Sequence, residues 1–199
     1  MTQQHPDIID TLAGIRPGDA RDALRARRPV TRDEAQKSHL ALFVPASTAD
    51  VSLAERHAVA VFVATLHNAT DLAALHAGHL RDASGGAALL PAVQRAAEAG
   101  AARGPYGRYP AGPLSAEDQP GPELVLSADV AAALGPRLAA ALAHAHLLVF
   151  HPRDARPGHL GRLLAAGWST TGVVTLSQLV SFLAFQIRVA AGLKVLAEA

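Results

Sequence analysis

Ser52-Leu-Ala-Glu-Arg-His-Ala-Val-Ala-Val-Phe-Val-Ala-Thr-Leu-His-Asn-Ala-Thr-Asp-Leu-Ala-Ala-Leu-His76 is the stretch that decides the fold. Ser52 and Glu55 stand in the S-x-x-E spacing of a capping box, in which each side chain satisfies the other residue's backbone N–H. From there apolar residues recur to Leu66 with no Gly or Pro to interrupt a helix. His67-Asn68 is a turn signal, and a second helix is expected from about Thr70 to Asp82.

Working outward, the same signals divide the rest of the chain. Asp7 to Ala13 reads as a short helix closed by Gly14 and the Arg16-Pro17-Gly18 turn. Asp19 caps a helix that runs through Arg27 and stops at Pro29. Thr31 and Glu34 form a second capping box, opening a helix to about Phe43 that ends at Pro45. After a break at Ser84-Gly-Gly, Leu89 to Ala99 can form another helix. Helices resume at Ser127, break at Gly135-Pro136, and continue from Arg137 to Phe150. A short helix from Pro157 to Ala166 closes at Gly167, and Ser169 or Thr170 caps a long one to about Leu196. The result is an all-α chain of one domain, residues 1–199, with a helical extension over 1–48.

Residues 100–126 differ in kind. Gly104-Pro-Tyr-Gly-Arg-Tyr-Pro-Ala-Gly-Pro and Gln119-Pro-Gly-Pro exclude regular structure, because proline lacks the backbone donor and glycine loosens the chain. Both tyrosines of the protein, Tyr106 and Tyr109, lie there. This segment is expected to be an ordered surface strap or a subunit contact, with a lid over a pocket as the other use of so long a loop.

Composition narrows the functions available. Half of the 199 residues are apolar but only 4% are aromatic, a balance that suits helices rich in Ala and Leu. The formal charge of +1 gives no field for nucleic acid or an anionic membrane. The Arg-rich run from Arg21 to Arg32 is broken by Asp and reads as a solvated helix face. Met-Thr-Gln-Gln-His-Pro-Asp lacks the basic start and apolar run of a secretory signal. Val173 to Leu193 is the most apolar segment, yet Gln178, Gln186 and Arg188 make it a buried helix of a soluble protein rather than a lipid-spanning one. The expected location is cytoplasmic, without a membrane partner. The chain has no cysteine, so disulfides, thiolate metal sites and thiol redox chemistry are excluded.

The Ser52–His76 stretch resembles the core of the carboxymuconolactone decarboxylase and alkylhydroperoxidase D superfamily. In its thiol branch a Glu lies near the start of one core helix, a Cys-x-x-Cys opens the next, and a His follows four residues on. Without gaps, the Glu position falls on His57, the cysteines on Ala69 and Leu72, and the His on His76. Leu142 to Leu193 is also similar to the superfamily's peroxidase-related members, with Arg188 matching a C-terminal Arg and Ile187 standing where an Asn precedes it. The opening helices and the strap resemble a cysteine-free subgroup. The resemblance implies an alkylhydroperoxidase D-like helix bundle, built as a homo-oligomer (dimer, trimer or hexamer). A faint symmetry between the helix starts at Ser52 and Ser169 fits a bundle of related units.

The thiol mechanism needs a thiolate that Ala69 and Leu72 cannot supply. What the resemblance leaves is two imidazoles, His57 and His76, whose positions face one pocket in the superfamily. Two such rings can split their pKa values and serve as acid and base. Leu72, His76 and His79 share a helical face, so His79 can join them, and Arg56, Asp71 and Arg188 are weaker candidates for holding an acidic ligand. A histidine on an Ala-rich helix otherwise serves packing. A metal would require His57, His76 and His79 to converge, with His67 beside them, and neither a metal nor a cofactor is expected. His144 and His146, two residues apart, are read as structural, Trp168 as a packing plug, and Phe182 and Phe185 as core or interface. Two functions follow. One is a degenerate, non-catalytic relative that binds a small ligand or supports a partner. The other is a non-thiol enzyme acting on a small organic acid or lactone through His57 and His76.

Overall fold

A computed structural model describes residues 5–198; Met1 to Gln4, and with them most of the stretch read for a signal, lie outside it. The described residues form nine α-helices and no strand: α1 Ile8–Ala13, α2 Ala20–Ala26, α3 Pro29–Phe43, α4 Leu53–Leu66, α5 Thr70–Asp82, α6 Gly86–Ala99, α7 Ala128–Phe150, α8 Pro157–Ala165 and α9 Thr170–Glu198. The protein is all-α, as its sequence predicts.

Helix α4 is the axis. From Ala58 to Ala64 every residue is at most 2% exposed, so this helix has no solvent face. A helix apolar all round must be enclosed on every side. Helices α5, α6, α7 and α9 do the enclosing. The Ser52 capping box forms as expected: Glu55 N–H donates to Ser52 Oγ at 3.2 Å and Ser52 N–H donates to the Glu55 carboxylate at 2.8 Å. Glu55 also binds Arg137 at 2.6 Å, and that guanidinium lies 4.1 Å from the centre of the Trp168 ring. Arg137 donates as well to Asp50 O at 2.7 Å and to Gly167 O, so one side chain ties together the starts of α4 and α9 and the middle of α7. Trp168 is therefore a plug whose indole N–H donates to Arg137 O at 2.9 Å.

Several elements differ from expectation. Thr31 does not cap: α3 begins two residues earlier, with Pro29 at its first turn, where a missing N–H costs nothing. Pro29 opens a helix rather than only closing the one before. Helix α6 starts at Gly86 rather than Leu89. The expected Gly135-Pro136 break does form: Gly135 takes φ 71 and ψ 163, outside the helical region and open to glycine, so α7 is two helical runs meeting at a kink. The strap contains one 3-10 turn, Pro113–Glu117, and a single bridge between Gly107 and Gln119. Ser169 caps α9 by accepting the Gly172 N–H at 3.0 Å.

The arginine run is a solvated face only at Arg27 and Arg28, which are exposed; Arg21, Arg25 and Arg32 are half-buried. Arg25 reaches Asp7 at 2.8 Å and also pairs with Asp10, with its side chain only 8% exposed. Arg32 pairs with Asp10 and with Asp22 at 2.8 Å, and Arg21 donates to Ala13 O at 3.0 Å. These pairs lock α1, α2 and α3 together. Beneath them Ile8, Ile9, Ala13, Ala35 and Leu193 form a second small core that fastens the extension to the far end of α9.

Helix α9 also departs from its expected burial. It is covered along one stripe, Leu176, Leu179, Val180, Leu183 and Gln186, while Val174, Phe185, Val195 and Leu196 are exposed. Helices α7 and α9 are each long and apolar enough to cross a membrane by length and composition.

Candidate functional site

His57 sits in the second turn of α4 and His76 in the middle of α5, and the packing of the two helices brings their rings together, tilted by 37° and meeting through Nδ1. The Nδ1 atoms are 3.1 Å apart, and the residues are 7% and 1% exposed. His79, one turn beyond His76 and exposed, places its ring 5.1 Å from that of His57. Phe43, at the end of α3, stacks on both buried rings at 5.3 and 4.5 Å. His39, one turn earlier on α3, lies 5.1 Å from Phe43 and makes the cluster four imidazoles around one phenyl.

Sequence reasoning did not single out His39. Its i, i+4 spacing to Phe43 is the signal that would have found it, since both then face the same side of α3.

Burial governs the chemistry of these rings. It pushes His39 and His57 down to about 4, with repulsion from neighbouring histidines adding to the effect, and it drives His76 well below the ordinary histidine range. At neutral pH all three are uncharged. Among the described residues no group of three or more His, Asp or Glu has the convergence to hold a metal ion.

The remaining candidates are dispersed. Ala69 and Leu72 lie together, in a hollow that neither His57 nor His76 lines. Its volume is about 210 Å³, and Asp71, Ile187 and Lys194 also line it. Asp71 is exposed there and pairs with Lys194 at 2.8 Å. Arg56 is buried and its guanidinium is spent on backbone, donating to Val51 O at 3.0 Å and Leu42 O at 2.7 Å. It anchors the end of α3 to the start of α4. Arg188 is exposed and donates to Ala184 O on its own helix.

A cavity of about 710 Å³ lies elsewhere, between the strap and α7 and α8. His144, His146, His151 and His159 line it. His144 and His146 do hold structural bonds, to Ser177 Oγ at 3.1 Å and Gly100 O at 3.0 Å. Both line this one cavity all the same. Only the folded path of residues 100–126 makes this visible.

The strap is tightly fastened. Tyr106 N–H donates to Phe150 O at 2.6 Å, Arg108 N–H to Asp154 at 3.1 Å, and His151 Nε2–H to Pro122 O at 2.8 Å. Arg153 stacks 3.9 Å from the Tyr109 ring centre. It is the ordered strap expected from its sequence, and it also roofs a cavity.

No protein-family model, curated protein or solved structure matches this chain.

Proposed function

We propose that this chain is a non-catalytic, small-ligand-binding protein with an alkylhydroperoxidase D-like helix bundle, a cysteine-free relative in which the old redox site has closed. The observation that carries this reading is the 3.1 Å Nδ1 contact between His57 and His76, capped by Phe43, with neither ring lining any of the three principal cavities. An acid–base pair must touch its substrate to move a proton. These two rings touch each other and a phenyl group. The thiol route has no sulfur to run on, since the chain contains no cysteine.

The proposal extends to a cytoplasmic homo-oligomer without cofactor, nucleic-acid or membrane partner. The near-neutral charge supports the exclusion of nucleic acid, and the uncovered side of α9 around Phe185 supports self-association.

The competing reading, an enzyme acting on a small organic acid or lactone, uses the same histidine contact as its proton relay. A turnover screen separates the two. Wild type and His57→Gln/His76→Gln are incubated with lactone-bearing acids and with hydrogen peroxide plus a thiol reductant. Equal, background-level consumption is expected from both proteins. Turnover present in wild type and lost in a folded variant would replace the binding reading with the enzyme.

A further inference from the structure

The strap cavity has a polarity of its own. His146 is 2% exposed and donates its Nε2–H to Gly100 O, so in the neutral ring Nδ1 is a bare acceptor. Burial lowers the proton affinity of this ring, which keeps it neutral. Glu123, on the returning pass of the strap, lies close enough to act on it electrostatically and lines the same cavity. This end of the cavity therefore accepts hydrogen bonds.

The α8 side is its opposite. His159 Nδ1 accepts the Arg156 N–H at 3.0 Å, which leaves the proton of the neutral ring on Nε2 as a donor. Arg162, one turn along the same helix, lines the cavity with an exposed side chain. The wall carries the apolar Ala140, Ala143, Leu147 and Leu124, with His144, bonded through Nε2 to Ser177 Oγ, and Arg108 also on the lining. The other two carboxylates at the cavity are already engaged by the strap: Asp118 accepts the Tyr109 N–H at 2.7 Å, and Asp154 accepts the Arg108 N–H at 3.1 Å.

We infer that this cavity is the ligand site, and that its ligand is a small organic acid with an apolar body and a hydroxyl group at the far end. The carboxylate meets Arg162 and His159, the body lies along Ala140, Ala143 and Leu147, and the hydroxyl donates to His146 Nδ1. An acid in the reverse orientation would set its charge against Glu123. A volume of about 710 Å³ suits such a molecule, since ligand pockets span roughly 300–1,000 Å³. The inference rests on the reading above, that the protein binds a small molecule, and gives that reading a place away from His57 and His76.

The test is calorimetric titration with three probes: 4-hydroxycinnamate, cinnamate, which lacks the hydroxyl, and methyl 4-hydroxycinnamate, which lacks the charge. Wild type should bind the first and lose roughly tenfold or more in affinity for each of the others, the cost of one absent polar anchor. Ala143→Trp, at a solvent-open position on the cavity wall, should abolish binding while circular dichroism shows the helices intact. His159→Ala/Arg162→Ala should erase the preference for acid over ester. His57→Gln/His76→Gln should bind as wild type does. No binding by wild type, equal binding of all three probes, or binding that survives Ala143→Trp would overturn the inference. Chromatography of the same mixtures keeps the two ideas apart: conversion of bound 4-hydroxycinnamate would overturn the non-catalytic reading and leave the site standing.

Discussion

The Nδ1 atoms of His57 and His76 lie 3.1 Å apart, so one ring carries its proton on Nδ1 and the other does not. The surroundings of His76 decide which. Its Nε2 is buried without a partner, and a bare nitrogen is cheaper to leave there than an N–H. His76 therefore donates through Nδ1, and His57 accepts and holds its own proton on Nε2. Nitrogen-15 chemical shifts at pH 7 should report the Nδ1–H tautomer for His76 and the Nε2–H tautomer for His57. The reverse assignment would remove this argument.

Acid should loosen the bundle through the same cluster. His39 and His57 are pushed down to about 4 in the folded chain against 6.5 for the free side chain, and His76 falls in the same direction. The unfolded chain therefore binds more protons between these values, and stability falls as pH drops from about 6.5 to about 4. Above that window the three rings are neutral in both states and the cluster adds no pH dependence. His57 alone is worth on the order of 3 kcal/mol across the whole window, at about 1.4 kcal/mol per pKa unit. Urea midpoints at pH 7.5, 6.0 and 5.0 should decline in order, and His57→Gln should flatten the decline. A slope unchanged in a folded variant would place the acid sensitivity elsewhere.

Gln186 makes a second demand on the core. It is 0% exposed on α9, and neither its Oε1 nor its Nε2 has a hydrogen-bond partner. A buried amide without partners costs about 1–3 kcal/mol relative to an apolar side chain of its shape. Gln186→Met keeps the length and removes both orphan groups, so it should raise stability by about 1–2 kcal/mol. Denaturant titration reads this directly. A loss of stability would mean that the amide holds something essential.

What could be read in advance follows from how local each signal is. The Ser52 box and the unbroken run to Leu66 act within one helix, and both appear in the folded chain as expected. The meeting of His57 and His76 came from a resemblance that pairs those two helices, and the structure brings the rings together. Arg56 misled because a guanidinium beside a candidate site reads as a ligand-binding group until its carbonyl partners, Val51 and Leu42, are known. Thr31 misled because a capping box and a proline two residues earlier compete, and the proline won. The strap cavity was the least legible feature. It joins residues 107–124 to residues 140–162 through a path without periodicity, and periodicity is what a sequence displays most openly.

Gly121 shows how closely that path is held. A β-carbon there would lie 2.2 Å from Tyr106 Cγ and 2.6 Å from His151 Cε1, closer than any such contact tolerates. The Tyr106 hydroxyl accepts the Arg103 N–H at 3.3 Å, and His151 Nε2–H donates to Pro122 O, one residue beyond the glycine. Neither ring can retreat without breaking a bond that fastens the strap. Gly121→Ala should therefore lift residues 100–126 from α7 and leave the helical core, whose buried cluster contains no residue of the strap, folded. Limited trypsin digestion should cut after Arg103 and Arg108 at least several-fold faster in the variant, with the far-ultraviolet circular dichroism of wild type retained. Affinity for 4-hydroxycinnamate should fall with it, because the roof carries Leu124 of the apolar wall. Unchanged cleavage would mean that the rings shift more cheaply than their bonds suggest, and the strap would then be a looser cover than its geometry implies.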